Sequence, residues 1–147
     1  MFKKISLFLL RIALGILFFW AGYTKLVNPE WSAAGYITGS KVFTGFYSWL
    51  LSPNVLPTIN FLNEWGLTLI GAALLLGIFV RLASFFGLTL MVLYYLPIFP
   101  PAHGLVDEHI IYSLVFLVFM AFGSGEILTL NKWLQERLHP MWHKWVD

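Results

Sequence analysis

The sequence contains no cysteine among its 147 residues. This absence excludes disulfides, zinc sites with cysteine ligands, iron–sulfur clusters and thiol redox chemistry carried by this chain. The chain therefore does not belong to the membrane thiol oxidoreductases, since these depend on a Cys-x-x-Cys pair.

Charged residues are also scarce. They make up 11% of the chain, whereas 59% of it is hydrophobic; an ordinary soluble domain has about 25% charged residues. So few charges cannot coat a water-soluble bundle, and the composition predicts an integral membrane protein of one domain. The net charge of +2 is too small to indicate a nucleic-acid partner.

Four apolar segments predict an all-α membrane bundle, with spans at about 5–26, 58–79, 83–97 and 107–123. The stretch from Pro57 to Pro97 holds two of them, because a single helix of that length would measure about 60 Å, more than the whole bilayer. We place the turn within residues 77–84, around Arg81. Acidic residues at the start of the fourth span suit the positive end of a helix dipole.

Two further helices are predicted to lie at the membrane surface. Apolar residues at helical spacing over 42–50 indicate an interfacial helix between spans one and two, ended by Ser52-Pro53-Asn54. Tryptophans among basic residues from Leu130 onward indicate an amphipathic C-terminal helix. Seven of the nine Lys and Arg residues fall on the side of the N-terminus, so both termini are predicted to be cytoplasmic.

Ionisable residues within spans are costly and usually face other helices. On the first span Arg11, Gly15, Phe18, Gly22 and Lys25 recur every three or four residues, which places them on one inward face. Predicted depth then gives an outer cluster that binds a substrate or quinone, and an inner structural cluster. The outer cluster comprises Lys25, Glu64, Asp107, Glu108, His109 and Tyr112, with Glu64, Asp107 and His109 as candidate catalytic groups; the inner cluster comprises Arg11, Arg81 and Glu126.

Metal and haem sites are not expected. A haem within a membrane bundle needs two histidines that face each other across helices. Here His103 lies in a Pro-Pro-Ala-His loop, and His109 opens the nearby helix. The pair His139 and His143 fits the exposed face of an amphipathic helix better than a metal site.

Several motifs, in order, resemble those of the DoxX/DoxD family, and most of all the DoxD-like small subunits of thiosulfate:quinone oxidoreductases. The resemblance runs from about residue 10 to 131 and includes the segments 10–15, 20–26, 31–36, 63–71, 76–83 and 107–112. It implies a four-span bundle in the prokaryotic cytoplasmic membrane. It also implies electron transfer from thiosulfate to quinone, with a second protein subunit or a homo-oligomer as partner. The family supplies no assigned catalytic residue to carry over.

Three functions compete at this stage. The first is a quinone-linked oxidoreductase subunit, in which the outer cluster holds the quinone ring and passes protons. The second is a non-catalytic scaffold or assembly subunit of a respiratory complex, whose polar residues fix the register of the helices. The third is a small lipid-binding membrane protein, whose site is a cavity at the outer cluster.

Overall fold

The protein is all-α in the computed structural model, which describes residues 2–101 and 104–123. Six helices follow one another in this part of the chain: α1 (Phe2–Leu26), α2 (Ala34–Ile37), α3 (Thr44–Leu50), α4 (Leu56–Leu76), α5 (Val80–Ile98) and α6 (Glu108–Phe122). The all-α prediction is confirmed. The predicted C-terminal amphipathic helix, together with Glu126, His103, His139 and His143, lies outside the described residues.

Three of the described helices, α1, α4 and α5, are long and apolar enough to cross a membrane. The predicted fourth span corresponds to α6, an apolar helix of 15 residues. At 1.5 Å per residue α6 extends only about 22 Å, which is shorter than the roughly 30 Å hydrocarbon core. Large apolar side chains such as Leu9, Leu69 and Leu114 are more than half exposed, as expected for surfaces that face lipid.

The helices pack as two pairs, α1 with α4 and α5 with α6. Glycines bring the first pair into close contact: a Cβ at Gly22 would meet the backbone of Thr68, and one at Gly71 would meet the backbone of Phe19. Such small-residue contacts are typical of helix packing in membranes. The face predicted to point inward does so, because Arg11, Gly15, Phe18 and Gly22 are buried.

The turn between α4 and α5 is tighter than the sequence predicts. It consists of Gly77, Ile78 and Phe79, with Gly77 at φ 67°. The N–H of Ile78 donates to Ala73 O and the N–H of Gly77 to Leu74 O, the pairing of a Schellman motif. The third helix therefore begins at Val80 rather than 83, and Arg81 lies in its first turn instead of in the loop.

Two apolar clusters form the interior. The larger one joins all four long helices and includes Phe18, Leu74, Val80 and Phe116, each at most 1% exposed. The smaller one lies beneath α2 and α3 and consists of Ala33, Ile37, Tyr47 and Leu50, packed against residues of α4 and α5. The helix predicted between the first two spans is present as α3, which begins at Thr44, two residues after Val42. Its location relative to a membrane stays a prediction.

Candidate functional site

A cavity of about 550 Å³ lies between the α2–α3 segment and one end of the long helices. Every described helix contributes to its wall. The lining is mostly apolar and aromatic, with a few polar side chains among them: Lys25, Trp31, Ser32, Ala33, Tyr36, Ile37, Phe46, Tyr47, Leu50, Ile59, Leu62, Asn63, Leu90, Leu93, Tyr94, Pro97 and His109. This size and lining are those of a site for a small organic molecule.

Lys25 supplies a cation to the cavity wall. Its Nζ donates to the carbonyl of Ala21 at 3.2 Å and lies 5.2 Å from the ring centroid of Trp31. Within residues 2–101 and 104–123, no carboxylate lies within ion-pairing distance of this ammonium. An ammonium has three donors, so Lys25 retains donors for a bound molecule.

His109 reaches the same cavity from the first turn of α6, and Asp107 holds its ring. Asp107 Oδ2 lies 2.7 Å from His109 Nδ1, and Oδ1 accepts the N–H groups of His109 and Ile110. Asp107 thus caps α6 and also fixes the imidazole. With Nδ1 engaged by the carboxylate, Nε2 is the ring nitrogen that is left for a ligand.

Burial raises the pKa of the Asp107 carboxyl, but hydrogen bonds from the His109 ring and from the Ile110 and His109 N–H groups, with the charge of His109, outweigh it. The net pKa lies below its ordinary value. Asp107 is therefore an anion at neutral pH and stays one while a proton enters or leaves the neighbouring ring.

Asn63 and Tyr94 form a polar pair on the wall made by α4 and α5. Tyr94 Oη donates to Asn63 Oδ1, and Asn63 Nδ2 donates to the carbonyl of Ile59 at 2.9 Å. Asn63 is 8% exposed, so both ends of its amide are held inside the protein. The Tyr94 ring meets the His109 ring edge-on, with centroids 6.0 Å apart. This contact joins the amide pair to the histidine.

Two tyrosines attach the α2–α3 segment to α5 beside Pro97. Proline has no N–H, so the carbonyl of Leu93, four residues before it, loses its helical donor. The hydroxyl of Tyr47 donates to this carbonyl at 3.0 Å, and the hydroxyl of Tyr36 donates to the next one, Tyr94 O, at 2.6 Å. The carbonyl that Pro97 leaves without a helical N–H is therefore a point at which the α2–α3 segment, which covers the cavity, is attached to α5.

These tyrosines remain neutral hydrogen-bond donors over the physiological range. Partial burial, followed by the negative charges of Asp107 and Glu108 and by Tyr47, raises the pKa of Tyr36 to about 12. Burial also raises the pKa of Tyr47. The start of the segment is fastened separately, because Asn60 Oδ1 of α4 accepts the N–H of Ala33 at 2.9 Å. The cover is thus held at both α4 and α5.

Comparison with known families decides the affiliation of the chain. A family model, DoxX, matches residues 6–98, which is more than half of the chain. The chain belongs to the DoxX family. No curated protein and no solved structure is similar enough to count as a match. The matched range of this DoxX chain ends with α5, so His109 and Asp107 lie beyond it.

The structure brings together part of the outer cluster predicted for this DoxX chain. Lys25 and His109 line the cavity, and Asp107 contacts His109. Tyr112 instead packs edge-on against Phe18, with centroids 6.1 Å apart, in the larger apolar cluster. Two predicted members lie elsewhere: Glu64 is half-buried and Glu108 exposed, and neither lines the cavity. The catalytic and binding roles of all these residues stay predictions.

The inner cluster is seen only in part. Arg11 is fully buried, with its guanidinium carbon 5.4 Å from the ring centroid of Phe8, whereas Arg81 is exposed at the start of α5. The two arginines therefore have different surroundings. The third member, Glu126, lies outside the described residues, and the structural role of the cluster stays a prediction.

The sequence reasoning missed several residues that shape the cavity, among them Asn63, Tyr94, Tyr36 and Tyr47. For Asn63 a signal was present. It is an amide inside an apolar span, and Asn60 precedes it by three residues on the same side of α4. Polar groups at such positions usually bond to neighbouring helices. The tyrosines carried no comparable signal, because aromatic residues occur throughout this chain.

Proposed function

We propose that this DoxX protein is the membrane subunit of a quinone-linked oxidoreductase and that its cavity binds the quinone headgroup. The observation that carries the proposal is the combination of an apolar, aromatic-lined cavity of about 550 Å³ with polar side chains from separate helices, Lys25, Asn63 and His109. A few convergent polar groups in an apolar pocket are what orient a small ligand.

The chemistry of a quinone suits this lining. Its ring is flat and apolar, and its two carbonyl oxygens accept hydrogen bonds. The ammonium of Lys25 has donors to spare for one oxygen, and aromatic rings such as Trp31 and Phe46 offer surfaces for the ring. Since α1, α4 and α5 are long enough to cross a membrane, a ligand with an apolar tail has lipid close to its binding site.

Electrons must come from outside the described chain. Without cysteine the chain has no thiol to cycle, so a donor reduces the quinone directly or through a partner subunit. Following the likeness to DoxD-like subunits, we propose thiosulfate as the donor and a second protein subunit as the partner. We also propose a location in a prokaryotic cytoplasmic membrane, with both termini inside. Membranes that contain the protein are then expected to reduce quinone when thiosulfate is added.

The test is quinone binding by the purified protein. Ubiquinone-2 and menaquinone-2 are titrated separately, and the expected result is saturable binding of at least one of them. Lys25→Met removes a charged hydrogen bond worth about 1.5–3 kcal/mol, so affinity is expected to fall about 10- to 100-fold. Lys41→Met is the matched control, because Lys41 is exposed and outside the cavity.

Other outcomes separate the remaining functions. Equal affinity for both lysine variants would place the quinone elsewhere and contradict the assignment of the cavity. Phospholipid in the purified protein, displaced by neither quinone, would favour a lipid-binding protein. No small molecule at all, with a co-purifying redox enzyme, would favour a scaffold.

A further inference from the structure

The pair formed by Asp107 and His109 lies between the cavity and the protein surface at the N-terminal end of α6. His109 lines the cavity, and its side chain is 12% exposed; the Asp107 side chain is 20% exposed. The pair stands where the chain enters α6 from the loop that follows α5, at one end of the helix bundle rather than at its middle. A proton that reaches this pair from water therefore has the cavity on its other side.

We propose that His109 transfers protons between water and the molecule bound in the cavity, and that Asp107 is its positioning residue. The inference rests on the proposed quinone function and assigns a role within it. The geometry carries it: the 2.7 Å contact with Asp107 fixes Nδ1, which leaves Nε2 for the ligand. The edge-on contact with the Tyr94 ring limits rotation of the imidazole.

The proton step balances with the two-electron reduction of a quinone. Two thiosulfate-class anions lose one electron each as an S–S bond forms between them, and the quinone gains both electrons as its two carbonyl oxygens become hydroxyls. At one oxygen an O–H bond forms as the Nε2–H bond of protonated His109 breaks. The other proton of His109 stays on Nδ1, hydrogen-bonded to Asp107. At the other, an N–H of the Lys25 ammonium supplies the second proton. Water at the exposed end of the cavity then protonates both groups again.

Charged side chains lie near His109 on its own helix and on the cavity wall. The Asp107 carboxylate stays beside Nδ1 while Nε2 gives up or takes a proton. Lys25 lines the cavity from the other helix pair, and Glu108 directly precedes His109 in the sequence. The tyrosines nearby are neutral donors and leave the balance of charge unchanged. The ionisable side chains that line the cavity with His109 are Lys25, Tyr36, Tyr47 and Tyr94, and its ionisable neighbours on α6 are Glu108 and Tyr112.

The test uses the purified full-length chain loaded with whichever of ubiquinone-2 or menaquinone-2 it binds. Infrared difference spectra are recorded on electrochemical reduction, with isotope-labelled histidine to identify imidazole bands. We expect the wild type to show conversion of protonated to neutral imidazole. His109→Gln, studied at a quinone concentration that saturates the variant, is expected to lose this band. His139→Gln, which removes one of the other histidines, is expected to keep the band.

Two more measurements separate proton transfer from a structural role. After rapid reduction by dithionite, proton uptake by His109→Gln is expected to slow by about 100-fold, the lower range for a positioned acid–base group. Asp107→Asn keeps an oxygen that caps α6 but loses the carboxylate beside Nδ1. It is therefore expected to retain quinone and helix, and to shift the imidazole band.

Each result decides the matter. A band that persists in His109→Gln while quinone remains bound would overturn the proton role. Loss of quinone together with the band would make His109 a binding residue only, and would leave the proposed function standing. A wild-type protein that binds neither quinone would overturn the proposed function, and this inference with it.

Discussion

A double-mutant cycle can measure how far the hydrogen bond from Tyr47 to the Leu93 carbonyl depends on Pro97. Tyr47 is 2% exposed, and its hydroxyl donates to Leu93 O, the carbonyl that Pro97 leaves without a helical N–H. Tyr47→Phe removes the donor and leaves a carbonyl unsatisfied, at a cost of about 2 kcal/mol in unfolding free energy. In a Pro97→Ala background the new N–H at position 97 satisfies the carbonyl.

The same change is therefore expected to cost only about 0.5–1 kcal/mol in that background, which gives a coupling energy of about 1 kcal/mol. The assay is equilibrium unfolding in mixed detergent micelles with increasing dodecyl sulfate. Tyr36→Phe is the matched control, because its acceptor, Tyr94 O, lies four residues before Ile98, which is not a proline and has an N–H to donate within α5. Energies for Tyr47→Phe and Pro97→Ala that add within about 0.3 kcal/mol would refute this explanation of the cavity cover.

Two further outcomes follow from the packing of α1 on α4 and from the α6 cap. Gly71→Ala is expected to lower the free energy of unfolding by about 2–3 kcal/mol, since its Cβ would meet the Phe19 backbone. Gly35→Ala is the control, because a Cβ there meets no other atom. Equal melting temperatures for the two variants would contradict the close contact at Gly71. The pKa of Asp107 is depressed in the fold, so its stabilisation is present above its ordinary value near 3.8 and is lost as pH falls through the lower folded value. Between pH 6 and 3 the wild type is expected to lose more stability than Asp107→Asn, and parallel stability curves would exclude the linkage.

The buried face of α1 could be predicted from the helical spacing of its charged and small residues. The spacing of Arg11, Gly15, Phe18 and Gly22 follows one face, and the structure buries that face. Periodicity is informative there because the apolar surroundings make the few charged and small residues conspicuous. The bounds of the turn after α4 were harder to predict. Hydrogen bonds of Gly77 and Ile78 set them, whereas Arg81, around which the turn was predicted, lies in the first turn of α5.

On α4 the prediction rested on charge and depth and not on helical spacing. Glu64 drew attention because it is charged, yet the cavity is lined by the adjacent Asn63. One residue turns a helix by about 100°, so neighbours in sequence face different surroundings. The buried positions Leu67, Ile70 and Leu74 share a face with Asn63. That spacing, rather than charge, identifies the inward polar group.

The cavity itself depends on contacts that no local pattern encodes. The bonds from Tyr36 and Tyr47 reach carbonyls of α5 that are 58 and 46 residues away in sequence. Which carbonyls need a donor is set by Pro97. These tyrosine-to-carbonyl bonds can therefore be identified only from the three-dimensional structure, in which the α2–α3 segment lies against the end of α5.

The most direct measurement for a quinone site in this cavity is photolabelling with an azido-quinone, followed by mass spectrometry of the labelled peptides. We expect label on the cavity walls, within 31–37 or 90–94, and loss of that label when excess unlabelled quinone competes. Label confined to outward residues such as Leu69 and Phe85, unaffected by competition, would show that quinone meets this protein only from the lipid and would contradict the proposed site.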